Sequence, residues 1–134
     1  MNRLFLILGT VFGFTGVAAG AFGGHALKSH LSPDLLSIFE VGVRYQMYHA
    51  LALTALGLIK LRRPAEPRLH FDTAAGWLFG AGIVLFSGSL YALSLSGIRS
   101  FGAVTPVGGV AFLAGWACLF LEGASIKKRR RPLK

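Results

Sequence analysis

Four apolar stretches of roughly membrane length, separated by short segments whose charge alternates, constrain this chain more than any other feature. The stretches are residues 4–24, 45–61, 73–95 and 106–124. Each is close to the roughly 20 residues that a helix needs to cross a hydrocarbon layer. Four crossings return the chain to the side on which it began. With the N-terminus inside, the inner segments hold Arg3, Lys60, Arg62, Arg63, Arg68, Lys127, Lys128, Arg129, Arg130, Arg131 and Lys134, and the outer ones hold only Lys28, Arg44 and Arg99. Short loops rich in Lys and Arg stay cytoplasmic, so eleven against three predicts both termini inside.

Composition supports a single membrane domain. The chain has 134 residues, 54% of them hydrophobic and 14% charged, which leaves no room for a separate soluble core. A net charge of +9 would point to nucleic acid in a soluble protein. Here topology accounts for it: the basic tail, residues 127–134, follows the last span directly, where it retains the C-terminus and can rest on anionic lipid headgroups. A single cysteine, Cys118, precludes an intramolecular disulfide. The first stretch also carries features of a cleavable signal peptide, with Arg3 before an apolar centre and Ala19-Gly20-Ala21 as a small-residue site; cleavage would leave three spans.

In the first span glycines recur at Gly9, Gly13, Gly16, Gly20 and Gly23, a spacing of four and three that keeps them on one helix face. Helices in lipid associate by close packing rather than by hydrophobic exclusion, so this flat face predicts a helix–helix contact. Ser32-Pro33-Asp34 is a helix start: a hydroxyl acceptor, a proline at the first turn and a carboxylate at the positive dipole end. The residues after it form a short amphipathic helical lead into the second span, with Gly42 placed to mark a bend. Two prolines among residues 62–68 predict a tight inner loop.

Polar residues within the spans gather in the outer half: His25, Glu40, Arg44, Tyr45, His49, Ser87, Ser89 and Tyr91, with Thr105 opening the fourth span. Glu40 and Arg44 are four residues apart, as are Tyr45 and His49, so each pair shares a helix face. Ionisable groups at such depth are costly and usually pair, face the bundle interior or line a path. Two readings follow. In one, Glu40 neutralises Arg44 while His49 hydrogen-bonds to Tyr45, Ser87 or a backbone carbonyl of another helix, and the network is structural. In the other, these residues line a polar vestibule open to the outside. A metal site would draw on His25, His30, Glu40 and His49, whose spacing matches no ligand motif; no nucleophile stands beside a base, and the glycine-rich run at 20–24 follows no strand, so neither metal, cofactor nor enzyme chemistry is indicated.

Several segments together, Gly20-Ala21-Phe22-Gly23-Gly24-His25, Tyr45-Gln46-Met47-Tyr48-His49-Ala50, Leu85-Phe86-Ser87-Gly88-Ser89-Leu90-Tyr91 and Thr105-Pro106-Val107-Gly108-Gly109 with Gly115-Trp116, resemble the small inner-membrane family called domain of unknown function 423, the YgdD-like proteins, to which eukaryotic transmembrane protein 256 is related. The resemblance covers nearly the whole chain. Gly24 stands where that family is expected to carry alanine. It implies a multi-pass protein of the bacterial inner membrane with an uncleaved first span, and it carries over no activity and no functional residues. The expectation is therefore an all-α integral membrane four-helix bundle, structural or accessory in role. The alternative is a component of an ion, proton or solute transporter, and four short helices would have to associate with a second copy or a larger complex to enclose a path.

Overall fold

A computed structural model describes residues 3–62 and 71–129, the last four of them as backbone only. The basic side chains of residues 127–134 and the proline-rich loop at 63–70 lie outside the described side chains. All regular structure among the described residues is helical: α1 (Leu4–His25), a short 3₁₀ turn (Leu27–Ser29), α2 (Pro33–Leu61), α3 (Phe71–Ser96), a second 3₁₀ turn (Arg99–Ala103) and α4 (Thr105–Arg129).

The Ser32 cap works as its residue type dictates, its Oγ accepting from the Leu35 amide at 3.4 Å, with Pro33 opening the helix. From there α2 runs unbroken for 29 residues, about 43 Å at 1.5 Å per residue. Gly42 therefore marks no break in the helix. It is a packing site instead, where an added Cβ would come within 2.8 Å of the Tyr91 ring. The lead into the second span is the first third of the same helix.

Three stretches, Leu4–Ser29, Phe71–Ser96 and Arg99–Ser125, are long and apolar enough to cross a membrane. The α2 helix is long enough, but Gln46, His49 and Lys60 lie in its apolar portion. All three are buried against other helices. A running average of hydropathy counts them as though they faced lipid, whereas the fold turns them inward.

Sequence neighbours pack antiparallel. A Cβ on Gly57 would run into the backbone of Leu6, one on Gly9 would lie 2.5 Å from the Thr54 amide, and one on Gly108 would meet the backbone of Phe86. Close backbone approach thus joins α1 to α2 and α3 to α4, as small residues permit in lipid. The apolar core, Phe5, Leu53, Leu56, Ala75, Phe79, Ile83 and Phe112, draws on all four helices. On the outside, Phe14 (78% exposed), Phe120 (74%) and Leu113 (73%) project from α1 and α4. So many large apolar groups facing outward suit lipid rather than water.

One irregularity interrupts α3. Residues Ile83–Ser87 form a π-helical turn, in which one extra residue widens the helix. Ser87 is fully buried there, and its hydroxyl has no hydrogen-bond partner among the described residues.

Candidate functional site

Helix periodicity divides the outer polar residues into two groups. The buried stripe of α2 runs through Phe39, Gly42, Gln46, His49, Leu53, Leu56 and Lys60, a three-and-four rhythm. Glu40 and Arg44 fall on the other side of the helix and are exposed, as is His25 at the end of α1. Glu40 and Arg44 form no ion pair with each other. The eight residues do not converge on one vestibule.

His49 is enclosed. It is 4% exposed, and its ring lies 3.5 Å centroid to centroid from Phe112 at an interplanar angle of 6°. Nδ1 lies 2.7 Å from the Tyr45 carbonyl oxygen, which can only accept, and Nε2 takes the Trp116 indole N–H at 3.1 Å. Those two partners require a neutral imidazole with its proton on Nδ1. Both nitrogens are used, and Tyr45, Phe79, Phe112 and Trp116 surround the ring. Tyr45 contributes its carbonyl, while its own ring packs 4.7 Å from Phe86.

Ser89 and Tyr91 serve different helix contacts. The Ser89 hydroxyl is 2.8 Å from that of Thr105 and 2.9 Å from the Phe86 carbonyl, joining α3 to the start of α4. The Tyr91 hydroxyl donates to Gln46 Oε1 at 2.8 Å. Gln46, 5% exposed, is the hub: its Nε2 donates to the Phe12 carbonyl and to Thr15 Oγ1, each at 2.9 Å. One amide therefore links α1, α2 and α3. Gln46 was legible only as a member of a motif; its place on the Gly42–His49–Leu53 stripe is the signal that marks it as inward-facing.

A second polar cluster closes the opposite end. Lys60 Nζ donates to Asp72 Oδ1 and to Thr73 Oγ1, both at 2.8 Å, with Lys60 and Asp72 8% and 3% exposed. In sequence, Lys60 counts toward cytoplasmic charge; its pairing with Asp72 across twelve residues is a tertiary fact. Glu122 of α4 is buried as well. No group of three His, Cys, Asp or Glu placed to hold a metal occurs among the described residues.

Of the five glycines of α1, Gly9, Gly16 and Gly23 are buried, against Thr54 and Ala50, Met47, and Phe39 in turn. Gly20 lies near Val43, and a Cβ on Gly13 would meet nothing within 4 Å. Between α1 and α3, above Gln46, lies an open groove of about 360 Å³ lined by Phe12, Thr15, Ala19, Gln46, Ile83, Val84, Gly88 and Tyr91.

The sequence profile of a family described as "Protein of unknown function (DUF423)" matches residues 19–109. The chain belongs to this family. It is 44% identical over 120 residues to a UPF0382 membrane protein of Staphylococcus haemolyticus, covering 90% of this chain and 94% of that one. It is also 44% identical over 114 residues to the UPF0382 membrane protein YwdK of Bacillus subtilis, covering 85% and 90%. Against the UPF0382 inner membrane protein YgdD of Escherichia coli it is 43% identical over 129 residues, covering 96% and 95%. No solved structure matches the chain. The DUF423 relatives are membrane proteins without an assigned activity, and the oily exterior of the fold agrees with a membrane setting.

Proposed function

We propose that this DUF423 protein is a four-helix bundle of the inner membrane, with both termini cytoplasmic, that acts as a structural or accessory membrane component. The orientation rests on the excess of Lys and Arg in the segments assigned to the inside. The basic tail would lie against anionic headgroups on that side. The role rests on one observation above all: both nitrogens of His49 are spent on Tyr45 and Trp116 within a closed aromatic box. A histidine in a conducting vestibule needs a nitrogen free for water or cargo; this one joins α2 to α4.

Purified protein reconstituted into liposomes should pass no protons, ions or small solutes under an imposed gradient, and His49→Ala should lower the thermal midpoint in detergent. Flux through the wild-type protein that disappears in His49→Ala while the midpoint stays unchanged would overturn the scaffold reading in favour of transport.

A further inference from the structure

The open groove between α1 and α3 is a wedge. At the Lys60 end the two helices meet, where Phe5 fills the space left by Gly76 and its ring packs edge-on against Trp77 at 5.7 Å. Farther along they part, and the space between Phe12, Thr15 and Ala19 on one wall and Ile83, Val84 and Gly88 on the other is floored by Gln46 and Tyr91. The π turn contributes Ile83 and Val84 to that wall. A Cβ on Gly88 would meet nothing within 4 Å, so the space is continuous to the backbone.

The hydrogen-bonding character of the floor is one-sided. Both Gln46 amide hydrogens are used on Phe12 and Thr15, the Tyr91 hydroxyl hydrogen is used on Gln46, and the Thr15 hydroxyl donates back to the Val11 carbonyl at 2.9 Å. Every donor is taken. What remains are acceptor lone pairs, one each on Gln46 Oε1 and Thr15 Oγ1 and those of the Tyr91 oxygen. An occupant that bonds to this floor must bring a donor of its own, and the apolar walls require the rest of it to be hydrocarbon.

Depth narrows the class further. Gln46 lies fourteen residues from Lys60 along α2. With Lys60 at the cytoplasmic edge of the hydrocarbon, as the proposed topology sets it, that is about 21 Å up a layer of about 30 Å, which puts the floor about 9 Å below the far headgroup boundary. A charged phosphate does not descend that far without a large solvation penalty. A neutral hydroxyl pays a much smaller penalty, which a hydrogen bond to the floor offsets.

We infer that the α1–α3 wedge is a binding site for a neutral lipid alcohol, an apolar chain carrying a free hydroxyl that donates to the Gln46–Tyr91 floor. The scaffold role does not depend on this site, whereas the depth of the site rests on the proposed placement of the bundle in the membrane.

The test uses the full chain in phosphatidylcholine nanodiscs, with dioleoylglycerol and its methyl ether as probes and native mass spectrometry to count retained lipid. The wild-type protein should retain the alcohol saturably and the ether, which has no hydrogen to donate, about tenfold more weakly. Gly88→Leu should fill the wedge and abolish retention without lowering the thermal midpoint; if that variant melts early, Ala19→Phe fills the opposite wall and must give the same loss. Equal retention of alcohol and ether, no retention of either, or undiminished retention in the filled variants would overturn the assignment.

Discussion

Removing the ammonium of Lys60 tests the energetics of the fold most sharply. In the wild-type protein Lys60 Nζ lies 2.8 Å from Asp72 Oδ1 and 2.8 Å from Thr73 Oγ1, and the pair is almost entirely enclosed. Lys60→Met keeps the aliphatic stem and the packing but removes the ammonium that bonds to the buried Asp72 carboxylate. Breaking a buried pair from one side costs about 3–5 kcal/mol, whereas an exposed pair is worth under about 1 kcal/mol. Exchanging both partners for hydrophobic residues of similar volume is often close to neutral, so Lys60→Met combined with Asp72→Leu should recover most of the loss. Reversible unfolding in mixed micelles, followed by circular dichroism for the wild-type, both single variants and the double variant, completes the thermodynamic cycle. A loss below about 1 kcal/mol for Lys60→Met, or a double variant as unstable as the two single losses added together, would refute the burial argument.

Gly57→Ala should destabilise the protein strongly, because its new methyl would strike the Leu6 backbone, which cannot rotate away; Gly13→Ala should be neutral or slightly stabilising, since its Cβ meets open space, and thermal melts of the two variants distinguish them. Gln46→Leu removes three hydrogen bonds between helices, each worth about 0.6 kcal/mol and at most about 1.7 kcal/mol in lipid, so a total loss of about 2–4 kcal/mol is expected in micelle unfolding. Trp116→Phe deletes the donor to His49 Nε2 and should cost about 1 kcal/mol, while His49→Ala should cost more because it also empties the aromatic box. Reporter fusions at residue 134 should be active only on the cytoplasmic side.

The secondary structure was legible because each helix is announced locally. Ser32-Pro33-Asp34 starts α2 where the cap chemistry requires, and Gly97 ends α3 in the left-handed conformation that glycine adopts at little cost (φ 72°). The packing face of α1 was legible in part: the seven-residue rhythm of Gly9, Gly16 and Gly23 meets α2, whereas Gly13, four residues from Gly9, turns away from it. The outer polar residues were less legible. Shared depth in the membrane groups them in sequence, but helix phase separates Glu40 and Arg44 from Gln46 and His49.

Where helices begin and how oily their surfaces are depend on neighbouring residues along the chain, through caps, breakers and apolar runs, and the sequence alone determined them; that α2 runs on through Gly42 as one helix did not follow from it. Which polar side chains meet depends on the rotation of each helix about its axis and on the neighbour opposite. Only the tertiary structure could decide that Gln46 joins α1, α2 and α3, that Trp116 closes over His49, and that Lys60 finds Asp72. A buried polar group is stable only beside its complement. That complement lies 12 to 67 residues away along the chain, at a distance no local pattern encodes.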